Sequence, residues 1–171
     1  YAAVVGVKRT QENPIAVLND IDGIRNVLQL SKNSSVKRVF FSSSSEVYGE
    51  PVELPQHEQT TPLNSRVPYA VVKNVGESFF RSYEKVYGLP YTIFRFFNTY
   101  GPNQSMDFVI SKFLYAALRG DDITIYGDGS QTRTFCYVDD MIEGIHKLLL
   151  SNYNMPVNIG NPDEITINEF A

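Results

Sequence analysis

A short apolar run, Val36-Lys-Arg-Val39-Phe40-Phe41, ends in four consecutive serines, Ser42 to Ser45, and a long amphipathic segment later opens on Tyr69-Ala-Val-Val-Lys73. A buried strand followed by a helix, repeated along a chain with short turns, restricts the fold to a parallel α/β sheet. The helical reading rests on Pro68, which suits a first turn, and on apolar Val72, Val75, Phe79, Tyr83 and Val86, which are expected to face inward. Gly88 and Pro90 supply its stop. Residues four apart share a helix face, so Tyr69 and Lys73 lie together. The serines fall at the carboxyl end of a strand, where open α/β sheets bind ligands.

The same alternation continues on both sides. A helix is predicted from Asn13-Pro14 to Leu30, with Ile21, Ile24, Val27 and Leu28 inward, and a strand over 36–43. The segment from Gly49 to Pro68, rich in Pro, Glu and Gln, is expected to form a loop over the site. A strand over Tyr91–Phe96, a turn at Gly101-Pro102 and a helix from Phe108 to Leu118 ending at Gly120 follow. A short strand is predicted over Ile123–Tyr126, then a helix near Asp140 and Glu143 running to Leu150. Thr166-Ile-Asn-Glu169 has the spacing of a capping box.

Composition narrows the function. With 43% hydrophobic residues the chain can fill a core, and a net charge of -4 argues against nucleic acid as a partner, which asks for a basic face. The single cysteine, Cys136, cannot close an internal disulfide, no apolar stretch is long enough to span a bilayer, and no metal site is expected. A cytoplasmic location is the default.

A lysine ammonium one helical turn from a phenol favours the phenolate, so Lys73 is expected to lower the Tyr69 pKa from about 10. Tyr69 is then a candidate proton acceptor, and Ser44 is the serine chosen to polarise the same substrate oxygen. Arg133, in a glycine-rich stretch, can form a charge-assisted fork to a diphosphate. Tyr126 can lie against a nucleobase or fill a core strand.

Phe41-Ser-Ser-Ser-Ser-Glu-Val-Tyr-Gly49, Tyr69-x-x-x-Lys73 and Arg95-Phe-Phe-Asn98-Thr-Tyr-Gly-Pro102 occur in that order, followed by Ile125-Tyr-Gly-Asp-Gly-Ser-Gln-Thr-Arg133, Tyr137-Val-Asp-Asp140 and Val157-Asn-Ile-Gly160. This ordered set, covering nearly the whole chain, resembles the extended short-chain dehydrogenase/reductase family acting on nucleotide sugars. The resemblance implies a Rossmann-like parallel sheet, with 1–97 as the later part of an NAD-binding domain and 98–171 as mostly a sugar-nucleotide-binding region with returning Rossmann elements. It implies Ser44, Tyr69, Lys73 and Glu46 as catalytic residues. Ala2, Ala3, Ser43, Tyr69, Lys73 and Phe96 would lie on the cofactor side, and Asn98, Tyr126 and Arg133 on the substrate side. It also implies a homodimer and a nucleotide-diphosphate sugar as partner.

The family's opening turn, G-x-x-G-x-x-G, which holds the dinucleotide pyrophosphate, does not occur in these 171 residues. With it is missing the residue that selects NAD over NADP, so NAD is the expected cofactor with NADP left open. The start at Tyr1 and the stop soon after the Thr166 capping box suggest an internal piece of a longer enzyme.

Transient oxidation at sugar C4 is the chemistry that the resemblance implies. Ser45-Glu46 lacks the first acid of the Asp-Glu pair typical of the 4,6-dehydratases. Ser-Ser-Glu-Val-Tyr-Gly49, Gly127-Asp-Gly-Ser-Gln-Thr-Arg133 and Pro156-Val-Asn-Ile-Gly-Asn-Pro162 look like the uridine-diphosphate glucuronate decarboxylases. A decarboxylase is the leading expectation. A 4-epimerase, a 4,6-dehydratase and a non-catalytic binding piece are the alternatives.

Overall fold

In the computed structural model, which describes Thr10 and residues 12–171, the chain divides into two units. The first gathers the described residues up to Phe96 together with Ile145–Ile159; the second comprises Phe97–Gly144 and Gly160–Ala171.

In the first unit, helices α1 (Pro14–Leu18) and α2 (Asp20–Ser31) precede strand β1 (Val39–Ser44) and a 3₁₀ turn, Ser45–Tyr48. Helix α3 (Pro68–Tyr87) and strand β2 (Tyr91–Phe96) follow, and β6 (Val157–Ile159) completes a parallel sheet in the order β1-β2-β6. All three strands run in one direction, as the alternation of strand and helix patterns predicts. β1 starts at Val39 rather than Val36 for a local reason. Val39 N donates to Pro90 O at 2.9 Å opposite the start of β2, and proline has no N–H with which to extend the ladder. Just before it, Arg38 turns its guanidinium to the carbonyls of Leu148, Leu149 and Tyr153.

The predicted helix over 13–30 is two pieces. At Asn19 the chain tightens, the amide of Asp22 bonding Asn19 O at 3.1 Å, three residues back, and α2 continues from there. Leu28 is fully buried and Ile24 packs against the core, but Val27 is 52% exposed because it lies off the Leu28 face. The core joins Leu28, Val39, Phe41, Phe80, Leu89, Tyr91 and Ile93. Phe41 stacks on Phe80 with centroids 4.9 Å apart, and Phe80 meets Tyr91 edge-on.

α3 buries a different face from the one its valines suggest. Ala70, Val72, Lys73, Gly76, Glu77 and Phe80 are inward, whereas Val75, Phe79 and Tyr83 are partly covered and Val86 is 67% exposed. The helix is rotated so that Lys73 and Glu77 reach hydrogen-bond partners on the sheet. Gly76 permits the close approach: a Cβ there would stand 2.8 Å from Phe41 Cε1. Gly88, at φ 65°, ends the helix in the left-handed conformation that glycine adopts without strain.

In the second unit, β3 (Thr99–Tyr100) pairs in parallel with β5 (Cys136–Tyr137), and β4 (Thr132–Thr134) pairs antiparallel with β7 (Glu164–Thr166). α4 (Val109–Arg119) ends on Gly120, at φ 70°. α5 (Val138–Leu150) begins two residues before Asp140, and the division between the units falls within it. α6 (Ile167–Phe170) carries the capping box, with Thr166 Oγ1 accepting from Glu169 N at 3.1 Å and Thr166 N donating to Glu169 Oε2 at 3.0 Å.

The strand predicted over Ile123–Tyr126 does not form. Its side chains alternate between half-buried and exposed, but no neighbouring strand pairs with it among the described residues, and Tyr126 is 75% exposed rather than a core residue.

Candidate active site

The carboxyl end of β1 and the first half of α3 bring together the residues singled out for proton transfer. Lys73 is buried, and its Nζ donates to Ser42 O at 2.9 Å. The same ammonium lies 5.4 Å from the Tyr69 ring centroid and 5.4 Å from that of Phe41. The Ser44 hydroxyl is near enough to the Tyr69 phenol to pull its pKa down, and it accepts from Glu46 N at 3.2 Å, capping the 3₁₀ turn. Ser44, Tyr69 and Lys73 therefore form one cluster, as their sequence order predicts.

The electrostatics differ from expectation. The Tyr69 phenol is held above its ordinary pKa of 10, first by burial and then by the Glu46 carboxylate, with the Ser44 hydroxyl opposing. Lys73 itself is pushed below its ordinary value by burial, against the pull of Asp20. The expected lowering of Tyr69 by Lys73 is thus overturned: burial of the phenol, with the Glu46 charge, sets the direction upward, and Lys73 is not among the groups that shift it. Glu46 is an exposed residue, yet the protein around its carboxyl desolvates it enough to raise its pKa.

Ser43 faces elsewhere: its hydroxyl donates to Glu77 Oε1 at 2.8 Å in the interior. Phe96, at the end of β2, stacks on Phe94 with centroids 5.7 Å apart. Ala2 and Ala3 lie outside the described residues.

Sequence reasoning missed a set of polar groups beneath this cluster. Arg95 is 1% exposed and Glu77 is fully buried. Arg95 Nε and Nη2 donate to the two Glu77 oxygens at 2.8 and 2.7 Å, and its Nη1 donates to Tyr48 Oη at 2.8 Å and Glu58 O at 3.0 Å. Tyr48 Oη donates to Asn158 Oδ1 at 2.7 Å. Asn158 N donates to Glu58 Oε1 and its Nδ2 to Gln56 O, each at 2.9 Å. The 49–67 loop is thereby pinned at its middle. The available signal was opposite charges interrupting two apolar patterns, Glu77 one turn after Lys73 and Arg95 inside Tyr91–Phe96.

The three substrate-side candidates belong to the second unit. Asn98 Nδ2 donates to Thr134 O at 3.2 Å, and its carbonyl accepts from Cys136 N at 2.8 Å. Arg133 sits on β4 opposite Ile165, exposed, with Nη1 donating to Thr132 O at 2.6 Å. Tyr126 offers its ring to solvent, with Lys112 Nζ 6.0 Å from the centroid. Between Tyr126 and Arg133, the turn at Gly127 and Gly129 is fixed by Asp128, which accepts from Ser130 N and Oγ at 3.0 and 2.7 Å. These bonds hold the Asp128 carboxyl below its usual range.

The donor set suits the nicotinamide-ribose end of a dinucleotide, since a phenol, an ammonium and a hydroxyl converge at a strand's carboxyl end. Among the described residues no group of three or more His, Cys, Asp or Glu side chains is arranged to hold a metal ion, and no helix is long and apolar enough to cross a membrane.

Known proteins resemble the chain in sequence and in fold. The chain is 40% identical over 166 residues to UDP-glucuronic acid decarboxylase 6 of Arabidopsis thaliana, covering 93% of this chain and 48% of that protein. It is 40% identical over 179 residues to the UDP-N-acetyl-alpha-D-glucosaminuronate decarboxylase of Bacillus cytotoxicus, covering 99% and 55%. The chain thus spans about half the length of the curated relatives it matches. The solved UDP-N-acetylglucosamine 4-epimerase of Methanobrevibacter ruminantium, in complex with UDP-N-acetylmuramic acid, superposes with a TM-score of 0.93 at 34% identity, over 99% of this chain and 56% of that one. The model of the NAD dependent epimerase/dehydratase family matches residues 1–160, and the chain belongs to that family.

Proposed function

We propose that the protein carrying this chain is an NAD-dependent nucleotide-sugar enzyme that oxidises C4 of a UDP-sugar transiently, with UDP-glucuronate as substrate and decarboxylation as outcome. The observation that carries the reading is the meeting of Ser44, Tyr69 and Lys73 at the end of β1. Tyr69 Oη takes the C4 hydroxyl proton, the Ser44 hydroxyl hydrogen-bonds the same oxygen, and Lys73, one turn along the helix, would hold the nicotinamide ribose. NAD, when bound, supplies the acceptor for the C4 hydride. A ketone at C4 stands β to the C6 carboxylate, so carbon dioxide can leave with its bonding electrons delocalised into the carbonyl. Glu46, whose charge acts on Tyr69, would handle a proton at the neighbouring carbons.

The second unit supplies Arg133 for the diphosphate, Asn98 for the phosphate and sugar, and Tyr126 for the base, which supports reading 98–171 as mostly the sugar-nucleotide region. The outer face of α3, with Val71, Val75, Phe79, Val86 and Tyr87 partly or largely exposed, supports a homodimer. A cytoplasmic location accords with the lone, buried Cys136.

Incubation of the full-length protein with UDP-glucuronate and NAD, followed by mass spectrometry of the nucleotide sugar, tests the assignment. Loss of 44 Da, the mass of carbon dioxide, is the expected result. An isomer of unchanged mass would instead establish a 4-epimerase, a reading that the match to the Methanobrevibacter ruminantium 4-epimerase favours. No conversion of any UDP-sugar would overturn both.

A further inference from the structure

Three consecutive residues of β1 meet three residues of α3 spaced one turn apart. Ser44 lies beside Tyr69, whose phenol feels its hydroxyl, Ser42 O accepts from Lys73, and Ser43 Oγ donates to Glu77. The first two pairings involve the candidate catalytic groups. The third does not, and it is the one sealed in the interior.

Its carboxylate holds four donors at once: Ser43 Oγ, Arg95 Nε and Nη2, and Arg81 Nη2 at 2.9 Å. A buried ion pair is a poor source of stability, because desolvating both charges offsets most of their attraction. Its better-attested use is to fix one register among several. Here the register in question is that of β1 against α3, and the fork of Arg95, on the neighbouring strand β2, holds Glu77 from behind. Arg95 also reaches Tyr48, which ends the turn that starts after Ser44.

We propose that Glu77, clamped by Arg95, is a positioning residue that sets Ser44 against Tyr69 and Lys73 through its bond to Ser43. This rests on the proposed proton-transfer roles of those three residues. Without the clamp, the end of β1 can slide relative to α3, and the Ser44 hydroxyl loses its place beside the phenol. A misplacement on the order of 1 Å at such a site costs up to about a hundredfold in rate.

Ser43→Ala and Glu77→Gln in the full-length protein test this with two readouts. The first needs no substrate: the pH at which the Tyr69 phenol titrates, followed by carbon NMR of ring-labelled tyrosine and assigned with Tyr69→Phe. Because the Ser44 hydroxyl opposes the neighbouring Glu46 and Asp20 charges, displacing it should move the Tyr69 titration upward. The second is turnover of the UDP-sugar. A positioning role predicts a fall in kcat of about tenfold for Ser43→Ala with KM within about twofold. If Glu77→Gln fails to fold, Ser43→Ala alone decides, since it removes one hydroxyl from a site that keeps its ion pair.

A Tyr69 titration unchanged in the folded variants, with only the melting temperature lowered, would overturn the proposal and leave Glu77 a merely structural residue. Failure of the functional reading looks different: the unaltered protein would convert no UDP-sugar, while the NMR titration would still answer the positioning question.

Discussion

The two units hold their candidate residues in opposite ways. In the first, Ser44, Tyr69 and Lys73 grow from the interior, each tied to a buried strand or helix face, with the fully buried Glu77 and Arg95 beneath them. In the second, Asn98, Tyr126 and Arg133 stand on a two-residue strand's approach, an irregular segment and a three-residue strand, and each is exposed. Proton transfer needs reacting groups fixed within fractions of an ångström, which a packed core supplies. Recognition of a diphosphate and a base tolerates looser placement, because a charged fork adapts to its partner.

The largest effect should come from the rigid unit. Tyr69→Phe removes the proposed proton acceptor while keeping the ring, and kcat in the full-length protein should fall about 10²- to 10⁴-fold, measured by initial rates on the proposed UDP-sugar. An undiminished rate would break the comparison at its foundation.

Arg133→Ala should act on the other side of the contrast. Loss of a charge-assisted hydrogen bond, worth about 1.5–3 kcal/mol, should raise KM about 10- to 100-fold with kcat within a few-fold. The melting temperature should hardly move, since the hydrogen bond that this exposed side chain makes among the described residues runs to Thr132 O next to it. A large drop in kcat instead would mean that Arg133 is as preorganised as Tyr69.

Gly76→Ala probes rigidity without touching chemistry. The added methyl would press on the Phe41 ring and on Ile24, 3.1 Å from its Cδ1, so stability should fall by about 1–3 kcal/mol in denaturant unfolding.

The smallest effect is electrostatic. Glu46 has a raised folded pKa, so its contribution is fully present below the unfolded value of 4.5 and is lost as pH rises through the folded one. At pH 7 the carboxylate is therefore a slight cost, discounted by its exposure. Glu46→Gln should raise the melting temperature by about a degree at pH 7 and by nothing at pH 4, and it should shift the Tyr69 titration downward by removing a like charge.

Much of the local structure in both units was legible in the sequence. The Tyr69 helix with its Gly88 stop, the strand Tyr91–Phe96 and the capping box at Thr166 all rest on local rules, and local rules act over a few residues. The rotation of α3 was not legible, because its inward face is set by Lys73 and Glu77 finding partners on strands that are distant in sequence. Val86, apolar but exposed, shows the cost of reading hydrophobic spacing alone. Ile123–Tyr126 failed for a related reason. Alternation marks a segment fit to be a strand, but pairing depends on whether a neighbour arrives, and none does among the described residues. The lowered pKa expected of Tyr69 failed because a sequence gives the distance between charges along a helix but not the burial around them.

The pinning of the 49–67 connection by Asn158 and Arg95 carries a consequence for chimeric enzymes. Bonds to Gln56 O, Glu58 O and the Glu58 carboxylate divide that long span into two shorter arcs, which the Thr61 hydroxyl joins again by donating to Glu53. Closure entropy grows only with the logarithm of arc length, so residues added to the outer part of either arc cost little. Loop segments can then be exchanged between relatives, provided that positions 53, 56–58 and 61 stay as common anchor points.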